Sequence, residues 1–270
     1  MRRPNSTPLP SPHRALPPAP PTIHAQLDRI TLFLCEAIQQ NLVGIYLHGS
    51  LAMGCFNAQR SDIDLLVITR TPIDTDAART VLVRMLQSSQ QPRPVEISIV
   101  HYAQITPWRH PTPFDLHFSE MHRAHIEAVL ATPGATLPKG GLDADLAAHF
   151  TVLLTRGRTL YGAPITSLEL VVPWPDYVDA IRRDFEETQT ASHLDAVYAV
   201  LNACRIWAAV EAELVLSKAG GALWVSARLT ESLRGAVQAA AECNVGIDQA
   251  LFEDAVRALL AWIGARLGWQ

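Results

Sequence analysis

The sequence predicts an α/β half followed by an all-α half, and three observations carry that expectation. From residue 23 to residue 100 the apolar pattern switches between helical and extended spacing, as alternating helices and strands require. Beyond VVPWPD, Val171 to Asp176, the chain becomes rich in Ala, Leu, Val and Glu and keeps a helical period to its end. The first 21 residues, MRRPNSTPLPSPHRALPPAPP, hold so much proline that a disordered or polyproline-like tail is expected there. The expected divisions are a tail over 1–21, an α/β domain on a mixed sheet over 22–172, and a C-terminal helical bundle over 173–270.

In IHAQLDRITLFLCEAIQQ, residues Leu27, Ile30, Leu34 and Ile38 recur at helical spacing, so this segment is a helix. GIYLHGS (Gly44 to Ser50) is a short buried strand running into Gly-Ser. DIDLLVIT (Asp62 to Thr69) is a second strand, bounded by NAQRS before it and RTPIDTD after it. DAARTVLVRMLQSS is a helix and RPVEISIV (Arg93 to Val100) a third strand. A proline-rich loop, PWRHPTPFD, follows, in which Trp108 and Arg109 suit either a substrate loop or an apolar plug for the turn. HFSEMHRAHIEAVLA and DADLAAHFTVLLTRGRTLYG read as two helical patches. In the second half, YVDAIRRDFEETQ, HLDAVYAVLNACRIWAAVEAELVLS, WVSARLTESLRGAVQAAAEC and DQALFEDAVRALLAWIGARL make about four helices. The stripe Leu194, Val197, Leu201, Cys204 and Ala208 is their core face.

With 270 residues, 49% apolar and 18% charged, the chain has material for one large or two ordinary globular domains. A net charge of -4 argues against duplex nucleic acid as a partner, which needs a clustered basic face, and is compatible with a cationic one. No apolar run approaches the ~20 residues of a membrane span. The opening arginines precede no hydrophobic stretch, so no secretory signal is expected. Cys35, Cys55, Cys204 and Cys243 form no CxxC pair, the pattern expected of reduced thiols in a cytoplasmic protein.

Chemistry concentrates in LHGSLAMGCFNAQRSDIDLLV, Leu47 to Val67. Residues two apart on a strand share a face, so Asp62 and Asp64 project together while Ile63, Leu65 and Val67 fill the other side. Arg60 is one candidate counter-charge. A metal is the reading adopted, since carboxylates ~7 Å apart along a strand can share Mg²⁺ ions ~4 Å apart. Glu96 is a lone acid among Val95, Ile97 and Ile99, and if its strand lies beside DIDLLVIT the three carboxylates converge. Gly49 would let the backbone approach a phosphate, with Ser50 and Ser61 as donors. A phosphate cradle, two metal-ligating aspartates and a third carboxylate to take a hydroxyl proton are what nucleotidyl transfer requires. His117, His122 and His125 lack an acid or cysteine at ligand spacing and are expected on a helix surface.

The stretch resembles the G-S-x(n)-D-x-D signature of the DNA polymerase β-like nucleotidyltransferases. VEISIVHYAQITPWRHP, DLHFSE and, farther on, AVYAVLNACRIW, LVLSK and LWV narrow the likeness. Together they resemble aminoglycoside adenylyltransferases of the streptomycin/spectinomycin 3''(9) type, over roughly Ile23 to Leu260. The resemblance implies a nucleotidyltransferase domain followed by a helical domain, with Mg²⁺ as cofactor and ATP as co-substrate. It implies that Asp62 and Asp64 hold the metal and that Glu96 is the catalytic base at the acceptor. Ser50 and Ser61 match positions that hold the ATP phosphates, and Arg205 and Lys218 match basic residues that reach the nucleotide. Asp195 matches an acid lining the antibiotic site, where a carboxylate suits a polycationic aminocyclitol.

Two departures bear on the acceptor. Dual-specificity members resemble one another in a tryptophan where this chain has Met121, and in a further acid that aligns near Ala191. Both features help hold streptomycin, so spectinomycin is the expected better substrate. The implied partners are small molecules, ATP and an aminoglycoside or aminocyclitol, rather than nucleic acid or membrane, for a chain acting as a monomer. Two rival readings stand beside this one. A nucleotidyltransferase that modifies a toxin protein would share G-S and D-x-D, but is usually shorter and without the paired Arg and Lys. A non-catalytic nucleotide-binding relative would have no need of all three acids.

Overall fold

The computed structural model describes residues 16–190, 195–242 and 249–269. The chain divides into two compact units. The first holds the residues up to Arg109, then Pro113–Leu142 and Arg156–Leu170; the second holds His110–Thr112, Asp143–Thr155 and the chain from Val171 onward. The expected α/β domain over 22–172 runs straight through Asp143–Thr155, whereas that segment clusters with the helical unit.

In chain order the elements are α1 (Pro21–Ile38), β1 (Leu42–Leu47), α2 (Gly49–Ala52), β2 (Ile63–Thr69), α3 (Thr75–Ser88) and β3 (Val95–His101). They continue with α4 (Tyr102–Ile105), β4 (Thr112–Phe118), α5 (Arg123–Ala131), β5 (Lys139–Asp143), α6 (Leu146–Arg156) and β6 (Arg158–Gly162). The remainder is helical: α7 (Trp174–Thr190), α8 (Ala196–Ala212), α9 (Lys218–Ser226), α10 (Glu231–Glu242) and α11 (Gln249–Leu267).

The six strands form one mixed sheet in the order β5-β4-β3-β2-β1-β6. β2 and β3 are parallel, and such a pair needs a crossover, which α3 supplies. Asp74 starts that helix by accepting the Ala77 N–H at 2.8 Å. β1 pairs antiparallel with both β2 and β6, and β4 antiparallel with β3. The predicted stripe Leu27, Ile30, Leu34 and Ile38 of α1 is buried with Ile45, Leu47, Ile63, Leu65, Val67, Val95, Ile97 and Ile99 in one core. Leu66, Ile68, Ser98 and Val100 are buried too, so the face that carries Asp64 and Glu96 at one end is closed along the rest of its length. Leu16 and Ala19, inside the expected tail, pack against the core, and α1 begins at Pro21. Residues 1–15 of that tail lie outside the described residues.

Three strands depart from the sequence expectation. TPFDLHF, expected as loop passing into helix, is β4. Pro113 and Asp115 break its apolar alternation, yet Asp115 is buried because distant partners satisfy it. Its carboxylate accepts from Ile73 N and Gln104 Nε2 at 3.0 Å and contacts His101 Nδ1 at 3.0 Å. RTLYG, expected as the end of a helix, is β6. It closes on β1 through Gly162, at φ +84, where a Cβ would come within 2.2 Å of the Val43 carbonyl oxygen. β5, Lys139–Asp143, falls partly at the start of the second predicted helical patch.

The second unit has its own core, built from Tyr177, Ile181 and Phe185 of α7, the interior of α8, and residues of α9, α10 and α11. Within the expected α8 stripe, Cys204 and Ala208 are buried and Val197 and Leu201 pack against the core; Leu194 lies outside the described residues. Ala199, Val200, Ala203, Ile206 and Trp207 are buried as well, so α8 is enclosed on more than one face. It ends at Glu213, in the left-handed region, and Ser217 restarts the chain as α9 by accepting the Gly220 N–H. Among the described residues no helix is long and apolar enough to cross a membrane. Cys35, Cys55 and Cys204 are in no disulfide, and Cys243 lies outside the described residues.

Candidate active site

Asp62 stands one residue before β2, Asp64 is the second residue of that strand, and Glu96 is the second residue of β3. The parallel register sets Asp64 directly across from Glu96. One oxygen from each of the three carboxylates lies within 4.8 Å of the others, the only such cluster of metal-ligating side chains among the described residues. Three like charges this close repel one another and gain from a shared cation. Carboxylate oxygens completed by phosphate oxygens are the donor set that Mg²⁺ takes, so these residues fit the ion.

The Gly-Ser turn is shaped by the same acid. After β1 the His48 N–H donates to the Asp64 carbonyl at 3.0 Å, which keeps the chain beside β2. Gly49 then adopts φ +62, and a Cβ there would sit 1.8 Å from Asp64 Oδ2. Glycine is needed twice over, for the left-handed backbone and because a carboxylate occupies the space. The Ser50 hydroxyl is buried and has no hydrogen-bond partner. An orphan hydroxyl is costly, and this one directly follows the glycine that packs against Asp64. Ser61 Oγ accepts the Asn57 N–H at 3.0 Å and keeps its own proton to donate. Arg60, the candidate counter-charge, is exposed.

In the second unit, the three residues singled out by sequence are linked through Tyr198 and Asp184, which were not. Asp195 caps α8 by accepting the Tyr198 N–H at 3.0 Å. Lys218 Nζ lies 4.0 Å from the centroid of the Tyr198 ring. Arg205 donates to Asn202 Oδ1 at 2.7 Å and to Asp184 Oδ2 at 3.4 Å, and the Tyr198 hydroxyl donates to Asp184 Oδ1 at 3.2 Å. Asn202 completes the set through Asp184 Oδ2 at 2.9 Å. Close helix packing allows this: a Cβ on Gly221 of α9 would meet the Arg205 backbone at 2.6 Å. Tyr198 had a signal in the sequence, three residues after a capping acid and seven before Arg205 on the same helical face. Asp184, on α7, had none.

Met121 is 89% exposed. It follows Glu120, whose carboxylate accepts from Arg123 Nε at 2.7 Å, Arg123 Nη2 at 2.9 Å, Gln90 Nε2 at 3.0 Å and the Ser89 hydroxyl. The Arg123 bonds above all hold the Glu120 pKa down at about 2. The acid of F-S-E is thus spent on the fold, and Met121 is carried on that anchor. Ala191 lies outside the described residues. The histidines part company. His117 is a strand residue of β4, not part of a helix surface, and its Nδ1 lies 2.9 Å from Ser98 Oγ on β3. His122 pairs with Ser119 Oγ at 2.9 Å, and His125 is exposed on α5.

Comparison with known proteins bears on both halves. Residues 27–119 match the model of the nucleotidyltransferase domain, and residues 170–264 match that of the aminoglycoside adenylyltransferase C-terminal domain. An aminoglycoside (3'') (9) adenylyltransferase of Klebsiella pneumoniae is 28% identical over 245 residues, 85% of this chain and 88% of that relative. A spectinomycin 9-adenylyltransferase of Campylobacter jejuni is 25% identical over 230 residues, 82% and 85% of the two chains. The crystal structure of spectinomycin adenyltransferase AAD(9) from Enterococcus faecialis, with ATP and spectinomycin, superposes with a TM-score of 0.76 over 91% of this chain and 99% of that one. At 19% identity that likeness speaks for the fold. The chain thus carries, in order, a nucleotidyltransferase domain and an aminoglycoside adenylyltransferase C-terminal domain.

Proposed function

We propose that the protein transfers AMP from ATP, with Mg²⁺, to a hydroxyl of an aminoglycoside or aminocyclitol antibiotic. The observation that carries this reading is the convergence of Asp62, Asp64 and Glu96 within 4.8 Å in a chain that carries this pair of domains. Names of relatives supply the acceptor class, aminoglycosides and spectinomycin. Glu96 takes the proton of the acceptor hydroxyl, the freed oxygen bonds to the α-phosphorus, and the bond to the oxygen bridging the β-phosphorus breaks to release pyrophosphate. Asp62 and Asp64 would hold Mg²⁺, which when bound supplies positive charge to the phosphate oxygens. Ser50 and Ser61 donate to those oxygens, and Arg205 and Lys218 neutralise charge on the departing pyrophosphate. Asp195 pairs with a cationic group of the acceptor, and Met121 packs on a ring.

A Met at 121 offers no broad rigid face and Ala191 no charge for a guanidinium, so spectinomycin is the preferred acceptor. Losing one charge-assisted bond, ~1.5 to 3 kcal/mol, weakens streptomycin by about one to two powers of ten. The match over 170–264 weighs against a protein-modifying enzyme, since it assigns the helical half to the antibiotic-modifying family. The test is incubation of the purified protein with ATP, Mg²⁺ and, separately, spectinomycin, streptomycin and non-antibiotic aminocyclitols. Mass spectrometry should show an AMP adduct of spectinomycin with equimolar pyrophosphate. Adduct on none of them, or on protein instead, overturns the reading, and equal kcat/KM for the two drugs overturns the preference.

A further inference from the structure

We infer that Arg93 is a positioning residue for the acidic cluster: its guanidinium clamps the turn that delivers Asp62 to its place beside Asp64 and Glu96. The inference rests on the proposed metal site. The chain enters β2 through the turn 57–61, in which Asn57 Oδ1 accepts the N–H groups of Gln59 at 2.8 Å and Arg60 at 3.2 Å. Those bonds shape the turn but do not place it against the sheet. Arg93 does, donating from Nε to the Ser61 carbonyl at 2.7 Å and from Nη1 to the Gln59 carbonyl at 3.0 Å. The Ser61 carbonyl belongs to the peptide unit that also carries the Asp62 N–H, so the clamp acts directly on the backbone of the first acid. One residue later the Ile63 N–H donates to the Pro94 carbonyl at 2.9 Å and the strand ladder begins.

Arg93 is itself held from the other side. Gln26, fully buried on α1, donates to the Arg93 carbonyl at 2.7 Å and the Ser88 carbonyl at 2.9 Å, and its Oε1 accepts the Arg93 N–H at 3.1 Å. A continuous line of bonds thus runs from Gln26 through Arg93 and the turn carbonyls to Asp62. The planar fork of arginine suits two carbonyls at once, whereas the single ammonium of lysine has no such pair of fixed donors. Partners that orient a metal ligand from behind commonly govern affinity for the ion by about 10- to 100-fold.

The experiment is Mn²⁺ binding to the full chain without nucleotide, followed by electron paramagnetic resonance, beside a thermal unfolding curve for each variant. Arg93→Gln should weaken Mn²⁺ by about 10- to 100-fold. Arg93→Lys keeps the charge but not the fork and should be weakened nearly as much, which serves as the decisive variant if Arg93→Gln fails to fold. Asn41→Ala is the matched control. Asn41 holds Thr71 beyond the far end of β2 by three bonds of 3.0 Å, so its loss should lower the unfolding temperature and leave Mn²⁺ affinity unchanged. Wild-type Mn²⁺ affinity in both Arg93 variants overturns the clamp. An equal loss in Asn41→Ala overturns it too, by making the effect general destabilisation. Asp64→Asn separates the premises: if it binds Mn²⁺ as well as wild type, or if wild type binds none, the metal site itself is wrong.

Discussion

Replacing Gly49 by alanine is the sharpest test of how the turn and the acids depend on each other. The new Cβ would stand 1.8 Å from Asp64 Oδ2, and real Cβ contacts essentially never fall under 3.0 Å, so the carboxylate must retreat by more than 1 Å. The backbone at φ +62 adds its own cost, about 1 to 2 kcal/mol for a side chain in the left-handed region. For a protein of this size that lowers the unfolding temperature by about 2 to 8 °C. The loss of activity should be out of proportion to the loss of stability. A 1 Å misplacement at a reacting centre costs about 100-fold, so kcat/KM for spectinomycin should fall at least that far while the protein stays folded at the assay temperature. Mn²⁺ affinity should fall with it, because the displaced group is a proposed ligand. The assay is pyrophosphate release under saturating ATP, paired with a melting curve. Wild-type turnover with a lowered melting temperature would refute the reasoning, since it would mean that the Asp64 carboxylate has no fixed duty.

Asp64→Asn keeps the side-chain size and removes one charge from the cluster; turnover should vanish with the fold intact, an effect of several kcal/mol, and activity within a few-fold of wild type would end the metal assignment. Glu96→Gln keeps the shape but accepts no proton, so kcat should drop by ~10² to 10⁴ with ATP affinity little changed; a parallel loss of ATP affinity would make Glu96 a ligand first. The Glu120 carboxyl, lowered from 4.5 to about 2 by Arg123 and its other donors, gives stability that is full above about pH 4.5 and fades as pH falls through about 2. Glu120→Gln should therefore cost about 1 to 3 kcal/mol at pH 7 and show a flatter decline between pH 4.5 and pH 2; denaturant melts of equal pH dependence in both proteins would contradict this.

The sequence by itself determined what depends on a local period. The helical stripe of α1, the D-x-D pairing at the mouth of β2 and the helical second half all follow from spacings of two or three to four residues, and the described structure carries them. So did the list of residue types able to do the chemistry, because carboxylates, Gly-Ser and basic residues are visible as letters. Tertiary structure decided the partners, which a period does not encode. Only the parallel register brings Glu96 against Asp64 across 32 positions of chain, and only packing reveals that Gly49 must be bare because Asp64 fills its side-chain space. β4 could form despite Pro113 and Asp115 because Ile73, Gln104 and His101 satisfy the buried acid from elsewhere. Asp143–Thr155 joined the helical unit although it lies between two strands of the sheet. Asp184 and Arg93 carried no mark in the sequence at all. Each is an ordinary surface letter until the fold supplies, from tens of residues away, the group it must hold.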